Sequence, residues 1–289
     1  MYEPIYPPKM EQRLAFVPII SYAVRHQCEF VDATDPSLEP LHIHPHMELL
    51  YNVSGNLSFL IDGKVYDVRP GEAVISKAGT PHVCIFRESR VHEWFCFWVD
   101  DRMDCELFAF LHKEHFYPVL SLDSDQQARL VSLLTRLRYD TEERKTSLRQ
   151  TSQVLQVLAL LEEVDSNASA RADIPVALQQ ILEDINQNFA SINSQADLSK
   201  RHFVSTATMN RWFRRYLHLS FHQYLIFQKL SQAAKLLLDG ATVTEACMSV
   251  GISDSSYFIS LFKKQFGITP LQYKKGQKRG TSSTYGSVI

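Results

Sequence analysis

The sequence predicts a multi-domain α and β protein: an N-terminal β barrel, helices that follow it, and a C-terminal all-α domain with two helix-turn-helix units. Three observations predict this architecture. Short apolar runs separated by turn residues fill residues 19–99. Leucines at helical spacing follow between residues 126 and 164. Near the C-terminus, one helix-turn-helix pattern occurs twice at an offset of 48 to 49 residues.

Charge divides the chain in the same way. The 289 residues carry a formal net charge of −2, but residues 1–170 sum to −9 and residues 171–289 to +7. A basic C-terminal half behind an acidic N-terminal half is typical of a nucleic-acid-binding module joined to a part that avoids DNA.

Cysteine usage and hydropathy bear on the compartment. The five cysteines are an odd number without paired spacing, which predicts reduced thiols in the cytoplasm. The first residues contain no apolar signal segment, and no stretch reaches the ~18 apolar residues of a membrane span. We therefore expect a cytoplasmic protein without a membrane partner.

The N-terminal domain is predicted over residues 1–122. Residues 1–18, rich in Pro and Tyr, are predicted to form an extended arm. Asp62-Gly63 separates two strand-like runs and is a strong hairpin signal. Residues 92–99 are apolar on both faces, as in a buried strand. Many short strands at this spacing predict a small closed barrel.

A histidine-rich segment provides the candidate ligand site of the barrel. Residues two apart on a strand share a face, so four side chains of this segment can point to one side: His42, His44, His46 and Glu48. The pattern HxHxxxE, followed by Gly55, resembles the first motif of the cupin family. The residues that resemble the second cupin motif are Gly71, Gly79 and His82. Lys77 and Phe86 stand where that motif has Pro and Asn.

The cupin resemblance implies a metal site but leaves other roles open. In metal-binding cupins, a divalent cation is held by the counterparts of His42, His44, Glu48 and His82. Three imidazoles and a carboxylate suit Fe²⁺, Mn²⁺, Zn²⁺ or Ni²⁺. The same side chains could instead hydrogen-bond a small polar effector, or be purely structural. Trp94 and Trp98 share one strand face, and we interpret Trp94 as a pocket residue that stacks a sugar ring.

Two helices are predicted after the barrel, over residues 126–138 and 147–164. The first has a stripe formed by Leu130, Leu133, Leu134 and Leu137. The second has a stripe formed by Val154, Leu155, Val157, Leu158 and Leu161. Residues 123–164 are thus a helical segment that either packs on the barrel or pairs two subunits. Residues 165–173 are small and polar, as in a flexible linker.

The C-terminal domain is predicted over residues 174–276, with a disordered tail at 277–289. It opens with an amphipathic helix over residues 174–189. In the second unit a short helix reaches Val250, Gly251 provides the turn, and Ser253 or Asp254 caps the next helix. The first unit has Phe203 where the second has the turn glycine. Residues 220–239 predict a connecting helix about 30 Å long, close to the ~34 Å between successive major grooves.

The spacing of residue types over the second unit points to a family. The residues that carry the pattern are Glu245, Gly251, Ser256, Tyr257, Phe258, Phe262, Lys263, Lys264, Phe266, Gly267, Thr269, Pro270 and Tyr273. This pattern resembles the C-terminal signature of the AraC/XylS family of bacterial transcription regulators, with Ala246 where the family has Ile or Leu. The resemblance implies a ligand-responsive regulator of promoter DNA, an activator of carbohydrate-related genes that would engage RNA polymerase. It also implies a homodimer paired through the helices after the barrel.

The exposed faces of both second helices are predicted to read successive major grooves. Base contacts are assigned to Thr206, Thr208, Asn210 and Arg211 in the first unit, and to Ser255, Ser256, Ile259 and Ser260 in the second. Phosphate contacts are assigned to Arg214, Arg215, Lys263 and Lys264. We expect a saccharide as effector and no catalysis. The alternative is a metal-dependent cupin enzyme fused to a DNA-binding domain.

Overall fold

A computed structural model describes residues 22–35, 41–44, 46–100, 106–112, 116–140, 148–164, 174–192 and 194–278. The predicted arm at 1–18, the predicted linker at 165–173 and most of the predicted tail lie outside these residues. No helix in the described ranges is long and apolar enough to cross a membrane.

Two antiparallel sheets build the N-terminal half. The strands are β1 (Tyr22–Val31), β2 (Met47–Ser54), β3 (Leu57–Ile61), β4 (Lys64–Val68), β5 (Glu72–Ser76), β6 (His82–Phe86), β7 (Arg90–Val99) and β8 (Val119–Ser121). The larger sheet has the order β1-β7-β2-β5-β8 and the smaller β4-β3-β6. The predicted hairpin at Asp62-Gly63 is confirmed, because both residues have positive φ (46° and 76°) between the paired strands β3 and β4.

Apolar side chains from both sheets fill the space between them. Leu50, Val74 and Trp94 of the larger sheet belong to the same buried cluster as Phe59 and Phe86 of the smaller. The barrel wall is thus formed by two sheets packed through their inner faces. At one end of this interior, Glu48 of β2 lies close to His82 of β6 and Trp98 of β7.

The leucine stripes after the barrel are buried inside the same chain. A 3₁₀ helix (Glu106–His112) leads to helices α1 (Ser124–Asp140) and α2 (Leu148–Glu163). Leu134 and Leu137 are fully buried in one cluster with Leu158 of α2 and with Leu49 and Phe97 of the larger sheet. Of the two interpretations, these contacts favour packing on the barrel, because the apolar faces of the stripes cover the outer face of the larger sheet. Pairing of two subunits through this helical segment stays a prediction.

Helices form the whole C-terminal half. They are α3 (Val176–Asn188), α4 (Gln195–Arg201), α5 (Thr206–Trp212), α6 (Phe221–Leu238), α7 (Val243–Ser249), α8 (Ser255–Phe266) and α9 (Pro270–Lys278), with a π-helical turn (Phe213–Leu217) extending α5. Helices α4 and α5 form the first helix-turn-helix unit, and α7 and α8 the second. Side-chain caps mark the starts of both units' helices: Ser194, Ser205, Thr242 and Asp254.

The structure locates the one-residue change in the repeat offset. The caps Ser194 and Thr242 of the first helices stand 48 residues apart, whereas the caps Ser205 and Asp254 of the second helices stand 49 apart. The extra residue therefore lies in the turn of the second unit. Phe203 adopts the same left-handed conformation as Gly251, with φ of 54° against 70°.

The two units differ in what they pack against. The second unit shares a core with α6 and α9, in which Phe258 and Phe262 are fully buried. The first unit shares its core with α3 and with the outer face of the smaller sheet, including Val83 and Ile85. The first unit is therefore continuous with the barrel.

Candidate functional site

The barrel site is assembled by a backbone bridge between its two motifs. The N–H of His42 donates to the carbonyl of His82 at 3.0 Å, and the N–H of His82 donates to the carbonyl of His42 at the same distance. The N–H of Gly79 donates to the carbonyl of His44 at 2.9 Å. These bonds bring the first histidine motif against the second.

Four side chains converge at this end of the barrel. One ligand atom from each of His42, His44, Glu48 and His82 lies within 4.8 Å of all the others. Glu48 is at the centre, because its Oε2 lies 2.9 Å from Nε2 of His44 and 3.4 Å from Nε2 of His82. Glu48 and His82 are buried, and His42 and His44 are half-buried, so the group opens to solvent on one side.

Backbone carbonyls determine which ring nitrogens face the centre. Nδ1 of His44 lies 3.0 Å from the carbonyl of His46, and Nδ1 of His82 lies 2.8 Å from the carbonyl of Thr80. A carbonyl oxygen only accepts, so both Nδ1 atoms carry the proton. Both Nε2 atoms then face Glu48 with either a second proton or a lone pair. A lone pair aimed at a carboxylate is unfavourable unless a cation lies between them.

The Glu48 carboxyl is ionised despite its burial. Burial raises the pKa of Glu48. Hydrogen bonds from His44 and His82 and the charge of these imidazoles lower it by more than burial raises it, so the pKa lies well below the ordinary value. The indole of Trp98 also donates to Glu48 Oε2, at 2.7 Å. A buried carboxylate with this many donors is charged and fixed in orientation.

The donor set fits a divalent cation. Imidazole nitrogens and a carboxylate oxygen are ligands for Zn²⁺, Mn²⁺, Fe²⁺ and Ni²⁺, and metal-binding histidines usually donate their other ring N–H to a carbonyl. His44 and His82 have that arrangement. The cation would be held by His42, His44, Glu48 and His82. Its positive charge would balance the Glu48 carboxylate and the lone pairs of the imidazole nitrogens that face it.

Two further side chains at this end were not singled out as ligands by the sequence. Ser76 lies directly across from Glu48 in the β2–β5 register, and its buried hydroxyl has no hydrogen-bond partner among the described residues. Trp98 pairs with Glu48 in the β2–β7 register. The pairing register of neighbouring strands brings both residues to the site. The alternation of residues along a single strand does not predict that register.

The remaining predicted barrel residues lie beside the four-residue group. The ring of His46 is 6.1 Å from that of His44, and the His46 carbonyl, rather than its ring, orients His44. Trp94 is buried in the apolar interior, 5.4 Å from the ring of Phe86. Trp98 is the indole that contacts Glu48. A stacking role for Trp94 stays a prediction.

The predicted DNA-reading residues lie on two exposed helix faces. Asp254 caps α8 by accepting from the N–H of Tyr257, and Phe258 and Phe262 face the core. The opposite face of α8 exposes Ser255, Ser256, Ile259, Ser260, Lys263 and Lys264. On α5 and the π-helical turn the exposed residues are Thr206, Asn210, Arg211, Arg214 and Arg215, with Thr208 half-buried.

The exposed face of α5 and the π-helical turn forms a shallow basic groove. It is lined by Ala207, Asn210, Arg211, Arg214 and Arg215. Gln195 of α4 donates to the amide oxygen of Asn210 at 2.8 Å, which fixes the side chain on this face. Arg and Asn are the side chains that make bidentate contacts to guanine and adenine. The groove therefore brings together side chains to which the sequence assigns base and phosphate contacts in the first unit.

Comparison with known proteins agrees with both halves of this geometry. A cupin domain family model matches residues 34–98 and a helix-turn-helix domain model matches residues 198–276. The HTH-type transcriptional activator RhaR of Mannheimia succiniciproducens is 24% identical over 252 residues, which cover 81% of this chain and 87% of that protein. The chain belongs to the AraC/XylS family of transcription regulators.

Two further proteins match over similar lengths. The uncharacterized HTH-type transcriptional regulator YdeC of Bacillus subtilis is 23% identical over 253 residues, covering 82% of this chain and 86% of that protein. The crystal structure of ToxT from Vibrio cholerae aligns over 91% of this chain and 99% of that chain, with 12% identity and a TM-score of 0.38. The first two of these relatives are named as a transcriptional activator and a transcriptional regulator.

Proposed function

We propose that this regulator is a cytoplasmic activator that binds promoter DNA through both helix-turn-helix units and responds to an effector bound by His42, His44, Glu48 and His82. A divalent cation is the effector that the geometry supports best. The observation that carries this proposal is the convergence of four donor atoms within 4.8 Å. Neighbouring ligands at 2.0–2.2 Å from a metal lie roughly 3–4 Å apart, so these side chains would have to draw together by about 1 Å at most to enclose one ion.

A saccharide is the second candidate effector, in line with the family's link to carbohydrate genes. Trp98 is half-buried beside the four polar groups, and the guanidinium of Arg25 lies 5.8 Å from its ring centre. An aromatic face beside hydrogen-bonding groups suits a sugar. Against this candidate, apolar side chains occupy the interior behind the cluster, so a sugar ring would bind only at the open end.

The proposal is tested by metal analysis of protein purified without a His-tag. We expect near-stoichiometric divalent metal, its loss in His82→Ala, and tighter promoter binding by the loaded protein. Metal-free protein whose DNA binding responds instead to a sugar would favour the second candidate. Product formation from a sugar, lost in the same variant, would favour the metal-dependent enzyme as an alternative.

Homodimerisation and contact with RNA polymerase complete the proposed activator. Because the leucine stripes of α1 and α2 are buried within the chain, a dimer would use other residues of these helices or of the barrel. Sedimentation of the full-length protein at micromolar concentration tests this part. A protein that stays monomeric at all concentrations and still binds the promoter would contradict homodimerisation.

A further inference from the structure

Residues 41–44 lie between the barrel site and the DNA-binding helices. His42 and His44 belong to the four-residue donor group. The preceding residue, Leu41, is only 3% exposed, and its side chain belongs to the apolar cluster shared by the smaller sheet, α3 and the first helix-turn-helix unit. One short segment therefore contributes to the effector site and to the interface between the two halves of the chain.

The Leu41 carbonyl is bonded to the second DNA-reading helix. Nε2 of Gln265, in the last turn of α8, donates to it at 3.3 Å. Gln265 directly follows Lys263 and Lys264, which are predicted to contact phosphate. The backbone between Leu41 and His42 thus connects a ligand residue to α8 through the Gln265 side chain.

Two other polar contacts hold the first unit and α3 against the barrel. Nη1 of Arg87 donates to the carbonyl of Tyr216 at 3.2 Å, while its Nε donates to Ser58 Oγ at 2.6 Å. Nδ2 of Asn186 donates to the carbonyl of Asp62 at 2.6 Å. Neither contact involves a donor of the effector site. They hold the first unit and α3 on the barrel without involving the site, whereas the bond between Leu41 and Gln265 joins the segment that carries His42 to the second unit.

We propose that occupancy of the donor group positions α8 through Leu41 and Gln265, so that the effector sets the placement of the second unit relative to the first. This inference rests on the proposed function of the cluster as effector site. A cation bound by His42 and His44 restrains the segment that carries the Leu41 carbonyl, and thereby favours the arrangement in which Gln265 is bonded to it. A ligand shifts an equilibrium only when it binds one arrangement better than the other.

The direction of the effect follows from the exposed faces. In the arrangement described here, the DNA-reading faces of α5 and α8 are both open to solvent, including Arg211 and Lys263. Exposure of both faces is what DNA binding by both units requires, so in this proposal it is the arrangement that the cation stabilises. Gln265 is a positioning residue in this scheme: it contacts neither the cation nor, in our assignment, the DNA.

The experiment uses full-length, tag-free protein, with Zn²⁺ as the probe. A DNA duplex is first selected from a random library by the Zn²⁺-loaded wild type. Zn²⁺ affinity is measured by calorimetry, and DNA affinity by anisotropy with and without Zn²⁺. The variants are Gln265→Ala, Gln265→Met, which keeps the length of the side chain but cannot donate to a carbonyl, and Gln180→Ala as the matched control on the exposed side of α3.

In the wild type and in Gln180→Ala, Zn²⁺ should tighten DNA binding by about tenfold, within the ordinary range of allosteric coupling. Both Gln265 variants should bind Zn²⁺ as tightly as the wild type and keep its metal-free DNA affinity, but respond to Zn²⁺ less than about twofold. A full Zn²⁺ response in the Gln265 variants would overturn the coupling and leave the proposed effector intact. Wild-type protein that binds no Zn²⁺ would overturn both.

Discussion

At the scale of single residues, the Glu48 carboxylate organises the barrel site. Its Oε2 atom is approached by Trp98, His44 and His82, which come from three separate segments of the chain. The indole N–H of Trp98 cannot bind a metal, so it orients the carboxylate without competing for the cation. Such supporting hydrogen bonds typically contribute ten- to a hundredfold to metal affinity.

We therefore expect Trp98→Phe to weaken divalent-metal affinity by about tenfold to a hundredfold, because an aromatic ring remains while the hydrogen bond to Glu48 is removed. Chelator competition with Zn²⁺ measures the change. Trp94→Phe is the matched control, since that indole lies in the apolar interior next to Phe86. Equal losses in the two variants would mean that packing, rather than the hydrogen bond, accounts for the effect.

Asp184 has a comparable role in the DNA-binding half. It accepts from Arg201 at 2.8 Å with both oxygens and from His202 at 2.8 Å, joining α3 to the end of α4. Burial raises its pKa, but hydrogen bonds from His202, Asn188 and Arg201 outweigh burial and hold the pKa below its ordinary value. Because the folded-state pKa is depressed, ionised Asp184 stabilises the fold above the unfolded-state pKa.

The loss of unfolding free energy in Asp184→Asn should thus be constant from about pH 5 to 7 and shrink as the pH falls below ~4, where the unfolded-state carboxyl is protonated. Urea titrations across this range measure it. Asp239→Asn, at an exposed position after α6, should show no such dependence. A loss that grows with acidity would have the wrong sign for this account.

At the scale of elements, the turn of the second unit depends on Gly251. This residue has a φ of 70°, and a Cβ there would lie 2.1 Å from the carbonyl oxygen of Ala190. Gly267, at the end of α8, has a similar φ of 75°, but a Cβ there would meet nothing within 4 Å. An alanine at Gly267 would thus cause conformational strain alone, whereas an alanine at Gly251 would cause the same strain and a steric clash with backbone.

Gly267→Ala should cost about 1 kcal/mol of stability, from left-handed strain alone. Gly251→Ala should cost clearly more, because α7 and the α3–α4 connection must also separate. Thermal unfolding of both variants measures the difference. Equal losses of stability in the two variants would show that the backbone at Ala190 moves away from the new Cβ at no cost.

The α1 stripe allows a second test at this scale. Leu137 is fully buried in the core that joins α1, α2 and the larger sheet. Leu137→Ala should destabilise the protein by about 2–5 kcal/mol, as for other buried leucines. Denaturant unfolding measures this, with Arg136→Ala on the exposed side of α1 as control. A folded protein of unchanged stability that no longer self-associates would restore the pairing role of the stripe.

Sequence patterns predict the elements well but not their partners. Caps and positive-φ residues give the bounds of α7 and α8 closely, because these signals act within a few residues. The destination of the α1 stripe was not predictable, since a sheet of the same chain and a second subunit bury leucines equally well. Trp94 and Trp98 share a strand face, but only the pairing of β7 with β2 decides which one reaches Glu48.

At the scale of the whole molecule, the two DNA-reading faces are linked by α6. This helix has 18 residues, hence a length of about 27 Å. Both faces are exposed while the first unit is packed against the barrel. The predicted DNA contacts are therefore open to solvent without any separation of the two halves of the chain.

Arg211→Ala combined with Lys263→Ala should weaken binding to a selected duplex and reduce the salt slope of log K by roughly 1 for each phosphate that the variant no longer binds. The slope falls fully only if both residues hold phosphate; an Arg211 that reads a base changes sequence preference instead. Titrations at several salt concentrations measure this. Arg129→Ala, exposed on α1, is the control and should leave both the affinity and the slope unchanged. An unaltered slope in the double variant would contradict phosphate contacts by Arg211 and Lys263.

The close approach of the β3–β4 hairpin to α3 also limits how such regulators can be recombined. A Cβ at Gly63 would lie 1.9 Å from the amide nitrogen of Asn186, so the barrel and the helical half are matched at this point. Natural variants should change these two positions together. A biosensor made by transplanting this barrel onto another regulator's helices should keep α3 with the barrel, because Asn186 of α3 donates to the Asp62 carbonyl of the hairpin.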